Sequence, residues 1–374
     1  MRFLQTSDWQ LGFSPRQAGS LAGAFSKRRF AAVERLVELA ERERVDLVML
    51  VGDTFDGPDV DDEVVVRAVT LLDRLAPCPV YVLPGNHDPL GKGSVWNRAS
   101  WKGVGDHVHL MAEAVELDGP DGIALYPCPV TQKVSRKDPT QWIPLRAPGD
   151  DRIRVGIAHG SLGLVPHSAN FPIAADRRRR AGLDYLALGD WHGLKIGDGS
   201  GYSGTIEATS FSETDTGCVL LVEIDPESRA VDVDRGQVGD LLWLEVAGRI
   251  SDESDVEDLE QRFGEHGRAD SLVLRVRLEV DSSLSEKASA RLAAVRADLQ
   301  SGVFFLDWNA ELQSPRLVSL PPGVITEVSE ALDAMLAEKQ PAAVFSAFAN
   351  QDPAVVSEAQ TLLRRLASES ASSD

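Results

Sequence analysis

The chain has 374 residues, of which 43% are hydrophobic, and its mean hydropathy is −0.14. This length and composition predict a soluble globular protein with room for more than one domain. The formal net charge is −20, and both halves of the chain carry more Asp and Glu than Lys and Arg. That balance argues against a basic DNA-binding module. We read no signal peptide and no membrane span, and the three widely spaced cysteines favour a reducing cytosol, so we expect a cytoplasmic location.

The first 240 residues alternate between short apolar runs and helical patterns, which is typical of α/β layering around a mainly central sheet. In chain order the pattern predicts a strand at Arg2–Thr6, a helix at Lys27–Arg44, a strand at Asp46–Val51, a helix at Asp61–Leu75, and strands at Pro79–Leu83, Ile153–Ala158, Tyr185–Leu188 and Cys218–Ile224. We therefore place an N-terminal domain over residues 1–240.

A different pattern follows Asp240 and predicts a smaller α/β domain over residues 241–320. Its predicted elements are strands at Leu242–Val246, Ser271–Val280 and Val303–Trp308, and helices at Ser254–Phe263 and Ser285–Leu299. The sequence Pro321-Pro322-Gly323 breaks the pattern. The remaining segment, residues 321–374, is predicted to hold two helices, at Thr326–Glu338 and Pro353–Leu366, and a polar tail.

Polar side chains follow five of the predicted strands, at the point where each strand ends. The sequences at these points are Ser7-Asp8-Trp9-Gln10, Gly52-Asp53-Thr54, Gly85-Asn86-His87-Asp88, His159-Gly160 and Gly189-Asp190-Trp191-His192. In open α/β sheets, sites form at the carboxyl edge of the strands. Mixed Asp, Asn and His ligands suit Mn²⁺, Fe or Zn²⁺ better than Ca²⁺. A hydrolytic site with two ions ~3.5–4 Å apart needs a bridging carboxylate, and Asp53 is our candidate.

The order of these motifs resembles that of the calcineurin-like metallophosphoesterase superfamily. The residues within and around the individual motifs are similar to those of SbcD-type DNA repair nucleases over residues 1–225, including VGDTFD, LPGNHDP, LALGDWHG and YSGTIEATSFSE. The resemblance implies an α/β fold of four layers, with two mixed β-sheets flanked by helices and a smaller capping domain. It also implies two Mn²⁺ ions, hydrolysis of DNA phosphodiesters, an SbcC-like coiled-coil ATPase as partner, and a homodimer.

The resemblance also implies a set of ligands for the two ions. Every ligand is an Asp, Asn, Gln or His of the strand-end motifs, and one carboxylate is shared. One ion would be held by Asp8, Gln10, Asp53 and His192, and the other by Asp53, Asn86, His159 and Asp190.

The implied catalytic pair is His87 and Asp88. His87 would stabilise the charge of the scissile phosphate and protonate the leaving oxygen, while Asp88, together with Asp56, would orient His87 and its loop. Gln10 and Asp190 depart from the superfamily, which usually has histidine at both positions. Both residues still offer an oxygen ligand, and the added charge of Asp190 favours Mn²⁺ or Mg²⁺.

Three other features are interpreted as structural. The sequence Asp106–His109 mimics a metal motif, but nothing nearby in the chain completes a set of ligands. The basic run Arg177–Arg180 is interpreted as a solvated helix face, with a phosphate contact as the alternative. Trp96, Trp101 and Trp142 are interpreted as packing residues, with base stacking as the alternative.

Three functions stay open on the sequence alone. A Mn²⁺-dependent DNA nuclease accounts for the motif sequences and the C-terminal extension, although the acidic net charge opposes DNA binding by the chain without a partner. A phosphodiesterase for a small nucleotide-type substrate suits the charge better but leaves the C-terminal region unexplained. A catalytically impaired scaffold for the ATPase is supported only by Gln10 and Asp190.

Overall fold

The computed structural model describes residues 1–163, 170–264, 269–282, 284–313 and 324–337, and the single positions 355, 356, 359 and 363. Among the described residues no helix combines the length and the apolar character that crossing a membrane requires. The α-helices are α1 (Ala22–Glu43), α2 (Asp62–Asp73), α3 (Arg177–Ala181), α4 (Glu253–Gly264), α5 (Glu286–Gly302) and α6 (Val324–Leu336).

The described strands form two large sheets and two small ones. In chain order they are β1 (Arg2–Thr6), β2 (Leu47–Val51), β3 (Val80–Leu83), β4 (Val108–Leu110), β5 (Leu117–Asp118), β6 (Ile123–Cys128), β7 (Ile153–His159), β8 (Ser161–Leu162), β9 (Pro172–Ile173), β10 (Tyr185–Gly189), β11 (Lys195–Gly197), β12 (Ser200–Tyr202), β13 (Cys218–Ile224), β14 (Val231–Gln237), β15 (Leu242–Ile250), β16 (Leu272–Asp281) and β17 (Phe305–Gln313).

Both large sheets have six strands and a parallel centre. The first has the order β14-β13-β1-β2-β3-β4, with β1 to β4 parallel and β13 antiparallel to β1. The second has the order β11-β12-β10-β7-β6-β5, with β6, β7, β10 and β12 parallel. In the second sheet, β5 and β11 are antiparallel edge strands. The parallel strands of each sheet therefore place their carboxyl ends along one edge.

The two large sheets pack face to face, and helices cover their outer faces. Successive side chains of a strand point to opposite faces of its sheet, so each strand contributes side chains to two packing layers. Phe3 and Met49 of the first sheet pack against Val155 and Ile157 of the second. Leu4 and other residues of the opposite face of the first sheet pack against α1 and α2. The predicted four-layer α/β fold is therefore confirmed.

The predicted elements of the N-terminal region mostly match the structure. Strands β1 and β13 have the predicted bounds, while α1 begins at Ala22 instead of Lys27 because a 3₁₀ helix, Arg16–Leu21, leads directly into it. Strand β6 was missed. It is followed by a 3₁₀ helix, Pro139–Trp142, and no α-helix before β7, so the alternation that guided the prediction fails there.

Strands β15, β16 and β17 form a three-stranded sheet in that order. They and helices α4 and α5 match the elements predicted for residues 241–320, with β15 extending to Ile250 and β17 to Gln313. Helix α6 matches the first predicted C-terminal helix, whereas most of the second, at 353–366, lies outside the described residues. The predicted domain boundaries stay predictions.

By contact density the chain divides into two compact units. The first consists of Met1–Ala247, Leu259–Arg277 and Leu292–Asn309, and the second of Gly248–Asp258, Leu278–Arg291 and Ala310–Asp374. In the first unit, Phe25 of α1 packs edge-on against Phe304 and Phe305, with ring centroids 4.9 and 5.6 Å away. In the second unit, Lys287 and Glu253 form an ion pair of 2.7 Å.

Candidate metal centre

The strand-end motifs of both large sheets meet at one place, where the backbone bends sharply. Asp8, Gln10, Asp53 and Asp190 have positive φ angles of 51°, 48°, 53° and 94°. A positive φ is uncommon for residues other than glycine and is concentrated at functional sites. The backbone N–H of Gln10 donates to the Asp53 carbonyl at 3.0 Å, which ties the end of β1 to the end of β2. These bends aim the side chains at a common centre.

Glycines allow the side chains of this centre to approach the backbone closely. Gly52 has a φ of +88°, and a Cβ added there would lie 2.0 Å from Nδ1 of His159. A Cβ added at Gly85 would lie 2.2 Å from Oδ1 of Asp53. A larger residue at either position would therefore displace His159 or Asp53.

Asp8, Asp53 and His159 form the centre of the cluster. One ligand atom from each lies within 4.8 Å of the other two, and all three residues are buried. Nδ1 of His159 donates to the Val51 carbonyl at 3.0 Å, which leaves Nε2 as the ligand atom. Nε2 lies 2.8 Å from Oδ1 of Asn86 and 3.5 Å from Oδ1 of Asp53. A ring nitrogen among oxygen atoms is a donor set that suits a divalent cation.

Asp190 and Gln10, the two departures from the usual motif, both lie in the cluster. Oδ1 of Asp190 is 3.8 Å from Nε2 of His159, and the Asp190 N–H donates to the Asp8 carboxylate at 3.2 Å. Ser161 donates to the other oxygen of Asp190 at 3.1 Å. Nε2 of Gln10 donates to Oδ2 of Asp53 at 3.0 Å. Both positions predicted as ligands are therefore adjacent to the central carboxylates.

His192 completes the cluster on the side of Asp8. Its Nε2 is 3.9 Å from Oδ1 of Asp8, and its Nδ1 is 2.7 Å from Oε1 of Glu213. Glu213 also accepts from the Thr209 N–H at 2.7 Å and from the Thr209 hydroxyl at 2.5 Å. A carboxylate that binds one ring nitrogen orients the other nitrogen toward a metal.

Burial and charge shift the pKa values of this cluster strongly. Burial raises the pKa of Asp8 to about 6, against the opposing effect of His159 and His192. Burial lowers the pKa of His192, but the Glu213 hydrogen bond and the charge of Asp8 outweigh it and raise that pKa to about 9. Burial likewise opposes the charged form of His159, yet Asp53 holds its pKa well above the usual value. Buried carboxylates beside imidazoles require positive charge, and a bound cation would provide it.

A family model described as calcineurin-like phosphoesterase matches residues 1–205. The chain belongs to the calcineurin-like phosphoesterase family. It is therefore a metal-dependent hydrolase of phosphoesters, and Asp8, Asp53 and His159 are its candidate metal-binding group.

A curated relative is the uncharacterized metallophosphoesterase YhaO of Bacillus subtilis, which is 26% identical over 324 residues, or 83% of this chain and 71% of YhaO. Among solved structures, TT1561 of Thermus thermophilus is 13% identical, with 63% of this chain and 98% of that chain covered and a TM-score of 0.43. The calcineurin-like phosphoesterase YfkN of Bacillus subtilis is 11% identical, with 64% and 90% covered and a TM-score of 0.38.

In this phosphoesterase, His87 lies at the edge of the cluster and is only partly buried. Its backbone N–H donates to Oδ1 of Asp53 at 2.8 Å, and its Nδ1 donates to the backbone carbonyl of Asp56 at 2.9 Å. The carboxylate of Asp56 is farther away, at 3.9 Å from Nδ1. Asp56 therefore contacts His87 through its backbone carbonyl, which lies closer to the ring than its carboxylate does.

Asp88 lies below the cluster and is fully buried. Its carboxylate accepts from the Gly85 N–H at 2.7 Å and the Phe55 N–H at 3.0 Å. Burial and the charge of Asp53 raise the pKa of Asp88 to about 7. These contacts hold the loop that carries Asn86 and His87, which makes Asp88 a positioning residue.

Sequence reasoning missed two residues that support the site. Glu213 lies on a loop 21 residues after His192, outside the strand-end pattern. Arg29 of α1 is buried and donates to the carbonyl of Trp9, next to Asp8, at 3.0 Å, and to the carbonyl of Ala208 at 3.1 Å. The only available signal was that Glu213 falls within the text that resembles the family.

The tryptophans, the sequence Asp106–His109 and the basic run were interpreted as structural features. Trp96 and Trp101 are buried and pack edge to face at 4.6 Å, which confirms packing. Nε2 of His107 donates to the Leu72 carbonyl at 3.1 Å. Among the described residues, no cluster of potential metal ligands includes a residue of Asp106–His109. Arg177 was wrongly assigned to a solvated face, because it is buried and bonds to two backbone carbonyls.

Proposed function

We propose that this chain is a Mn²⁺-dependent DNA nuclease with a two-ion site, acting in the cytoplasm as a homodimer with an SbcC-like coiled-coil ATPase. The proposal rests on the family, on the similarity of its motif text to SbcD-type nucleases, and on the geometry of one carboxylate. Mn²⁺ suits a site of carboxylates, amide oxygens and imidazoles.

The two oxygens of Asp53 face different ligand sets, and this observation supports two ions most directly. Oδ2 accepts a hydrogen bond of 3.0 Å from Nε2 of Gln10, a member of the first predicted set. Oδ1 is 3.5 Å from Nε2 of His159, a member of the second set. A carboxylate shared between two ions is the arrangement that two-metal hydrolases require. The first set would then be Asp8, Gln10, Asp53 and His192, and the second Asp53, Asn86, His159 and Asp190.

The residues of the chain have distinct parts in the reaction. Ions held in these two sets would polarise the phosphodiester and promote ionisation of water. Nδ1 of His87 is engaged by the Asp56 carbonyl, so Nε2 is the atom that can stabilise the phosphate and protonate the leaving oxygen. Asp88 keeps His87 in place through the Gly85 and Phe55 N–H groups. Glu213 keeps His192 in place.

A phosphodiesterase for a small nucleotide-type substrate is the second candidate. The net charge of −20 favours it, because DNA affinity normally depends on Lys and Arg that neutralise phosphates. In the nuclease proposal, the ions and a basic partner compensate for this charge.

The test compares Mn²⁺-dependent cleavage of linear DNA and of bis(p-nitrophenyl) phosphate by the wild type, His87→Ala and His107→Ala. The nuclease proposal predicts that both substrates are cleaved, with a loss on DNA of about 10²- to 10⁴-fold for His87→Ala, because the alkoxide that leaves DNA needs a proton. His107→Ala, a histidine outside the cluster, should keep full activity. Hydrolysis of the small diester alone, at every salt concentration and with the ATPase present, would favour the second candidate. Metal binding without any hydrolysis would favour the impaired scaffold.

A further inference from the structure

We propose that an aromatic pocket beside the metal centre binds the base of a nucleotide adjoining the scissile phosphate. This inference rests on the proposed hydrolysis of phosphodiesters, which both candidate functions share. It names the substrate class as diesters that carry a nucleotide. The pocket has a volume of about 420 Å³, and the residues that define it here are Phe13, Arg16, Phe211, Trp243, Arg275 and Phe305. Its volume lies within the range of small-molecule sites, about 300–1,000 Å³.

The aromatic pocket adjoins the metal centre through two residues that line it, Asp56 and Thr209. The carbonyl of Asp56 accepts from Nδ1 of His87 at 2.9 Å. The hydroxyl of Thr209 donates to Glu213 at 2.5 Å and lies 3.3 Å from Nδ1 of His192. A substrate with its phosphate at the cluster therefore has the aromatic pocket within reach of the attached nucleoside.

Flat side chains held in fixed positions make up the wall of the aromatic pocket. The guanidinium carbon of Arg275 lies 4.0 Å from the ring centroid of Phe211, and Nε of Arg275 pairs with Asp307 at 3.0 Å. Phe211 in turn packs edge-on against Trp243, with centroids 4.7 Å apart. Aromatic rings and arginine planes are the groups on which nucleobases stack.

Trp243 adds a polar feature that packing does not account for. Its indole Nε1 is buried and has no hydrogen-bond partner in the part of the chain that the structure describes. Buried donors in proteins normally have a partner. All nucleobases carry carbonyl oxygens or ring nitrogens that can accept this hydrogen bond. A base in the aromatic pocket would thus meet stacking surfaces beside a tryptophan whose N–H has no partner among the described residues.

The first experiment compares kcat/KM for thymidine 5′-(p-nitrophenyl phosphate) and for bis(p-nitrophenyl) phosphate, both with Mn²⁺. Phe211→Leu, which keeps apolar volume but loses the ring, should lower kcat/KM for the nucleoside ester by about 5- to 150-fold. The same variant should change kcat/KM for the base-free diester less than about twofold. Trp243→Phe removes the indole N–H together with the pyrrole ring but keeps one aromatic ring, and it should lower kcat/KM for the nucleoside ester by a smaller factor.

The matched control is Trp142→Phe, the same replacement at a tryptophan that packs against Tyr126, with ring centroids 6.0 Å apart. It should leave both substrates unaffected. An equal loss on both substrates for Phe211→Leu would mean that the ring only supports the fold of the site, and an unchanged kcat/KM for both substrates would mean that no base binds there. Either result overturns the inference.

A binding measurement separates this inference from the proposed function. Isothermal titration calorimetry on the Mn²⁺-loaded protein should show thymidine 5′-monophosphate binding more tightly than deoxyribose 5-phosphate, and Phe211→Leu should abolish the difference. If the wild type binds the two equally, the aromatic pocket is not a base site, whatever the enzyme hydrolyses. If it binds the nucleotide selectively but cleaves no diester, the proposed phosphodiesterase function is wrong and the base site remains.

Discussion

Replacement of Glu213 is predicted to weaken metal binding without unfolding the protein. Glu213 lies 2.7 Å from Nδ1 of His192, and it also accepts two hydrogen bonds from Thr209. Burial opposes its charge, but His192 and Thr209 together hold the pKa of Glu213 below its usual value. A hydrogen bond to a charged group contributes about 1.5–3 kcal/mol, which corresponds to about 10- to 100-fold in affinity. Changes to residues that orient a ligand histidine have effects of the same size.

The assay is calorimetric titration of Mn²⁺ into chelator-treated protein. Glu213→Gln keeps an oxygen acceptor for His192 and should weaken binding by about 10-fold, whereas Glu213→Ala should approach 100-fold. Glu223→Gln is the control, because Glu223 is an exposed carboxylate on β13. Equal Mn²⁺ affinity in the wild type and in both Glu213 variants would refute the claim that His192 is a ligand oriented by Glu213.

Two further predictions concern stability. Gly52→Ala places a Cβ 2.0 Å from Nδ1 of His159, at a φ of +88°. In urea unfolding this variant should lower the free energy of unfolding by about 2–5 kcal/mol, and it should abolish diester hydrolysis. The control is Gly57→Ala, where nothing lies within 4 Å of the added Cβ, and it should change the free energy of unfolding by less than about 0.5 kcal/mol. Burial, against the opposing effect of the Asp240 N–H and other groups, raises the pKa of Glu207 from 4.5 to about 7. The folded state therefore keeps a proton that the unfolded state has lost, and the wild type should lose up to about 3 kcal/mol of stability relative to Glu207→Gln as the pH rises from about 4.5 to about 7. A difference in unfolding free energy that does not change with pH would contradict this assignment.

The candidate ligands could be predicted from the sequence because they follow strands. Parallel strands bring their carboxyl ends to one edge, so residues as distant in the chain as Asp8 and His159 could be placed together without coordinates. The outer helices α1 and α2 were equally accessible through their apolar periodicity. Predicting two sheets, however, depended on the family resemblance, since strands β11 and β12 are short and no helix separates them.

The supporting contacts could not be predicted, for physical reasons. Glu213 and Arg29 act on the site through hydrogen bonds to His192 and Trp9, which lie 21 and 20 residues away in the chain, and no periodic pattern encodes such pairs. The positive φ angles at Asp8 and Asp53 arise from the bends between strand and loop, where the residue type gives little indication. The aromatic pocket joins Phe13 to Phe305, residues that lie far apart in the chain.

The most direct test of the account is the metal dependence of bis(p-nitrophenyl) phosphate hydrolysis by the wild type and Asp53→Asn. We predict that chelator-treated wild type is inactive, that Mn²⁺ restores its activity, and that Asp53→Asn stays more than about 100-fold less active at every Mn²⁺ concentration. Hydrolysis by the chelator-treated protein, or a response of Asp53→Asn equal to that of the wild type, would contradict a metal centre built on Asp53.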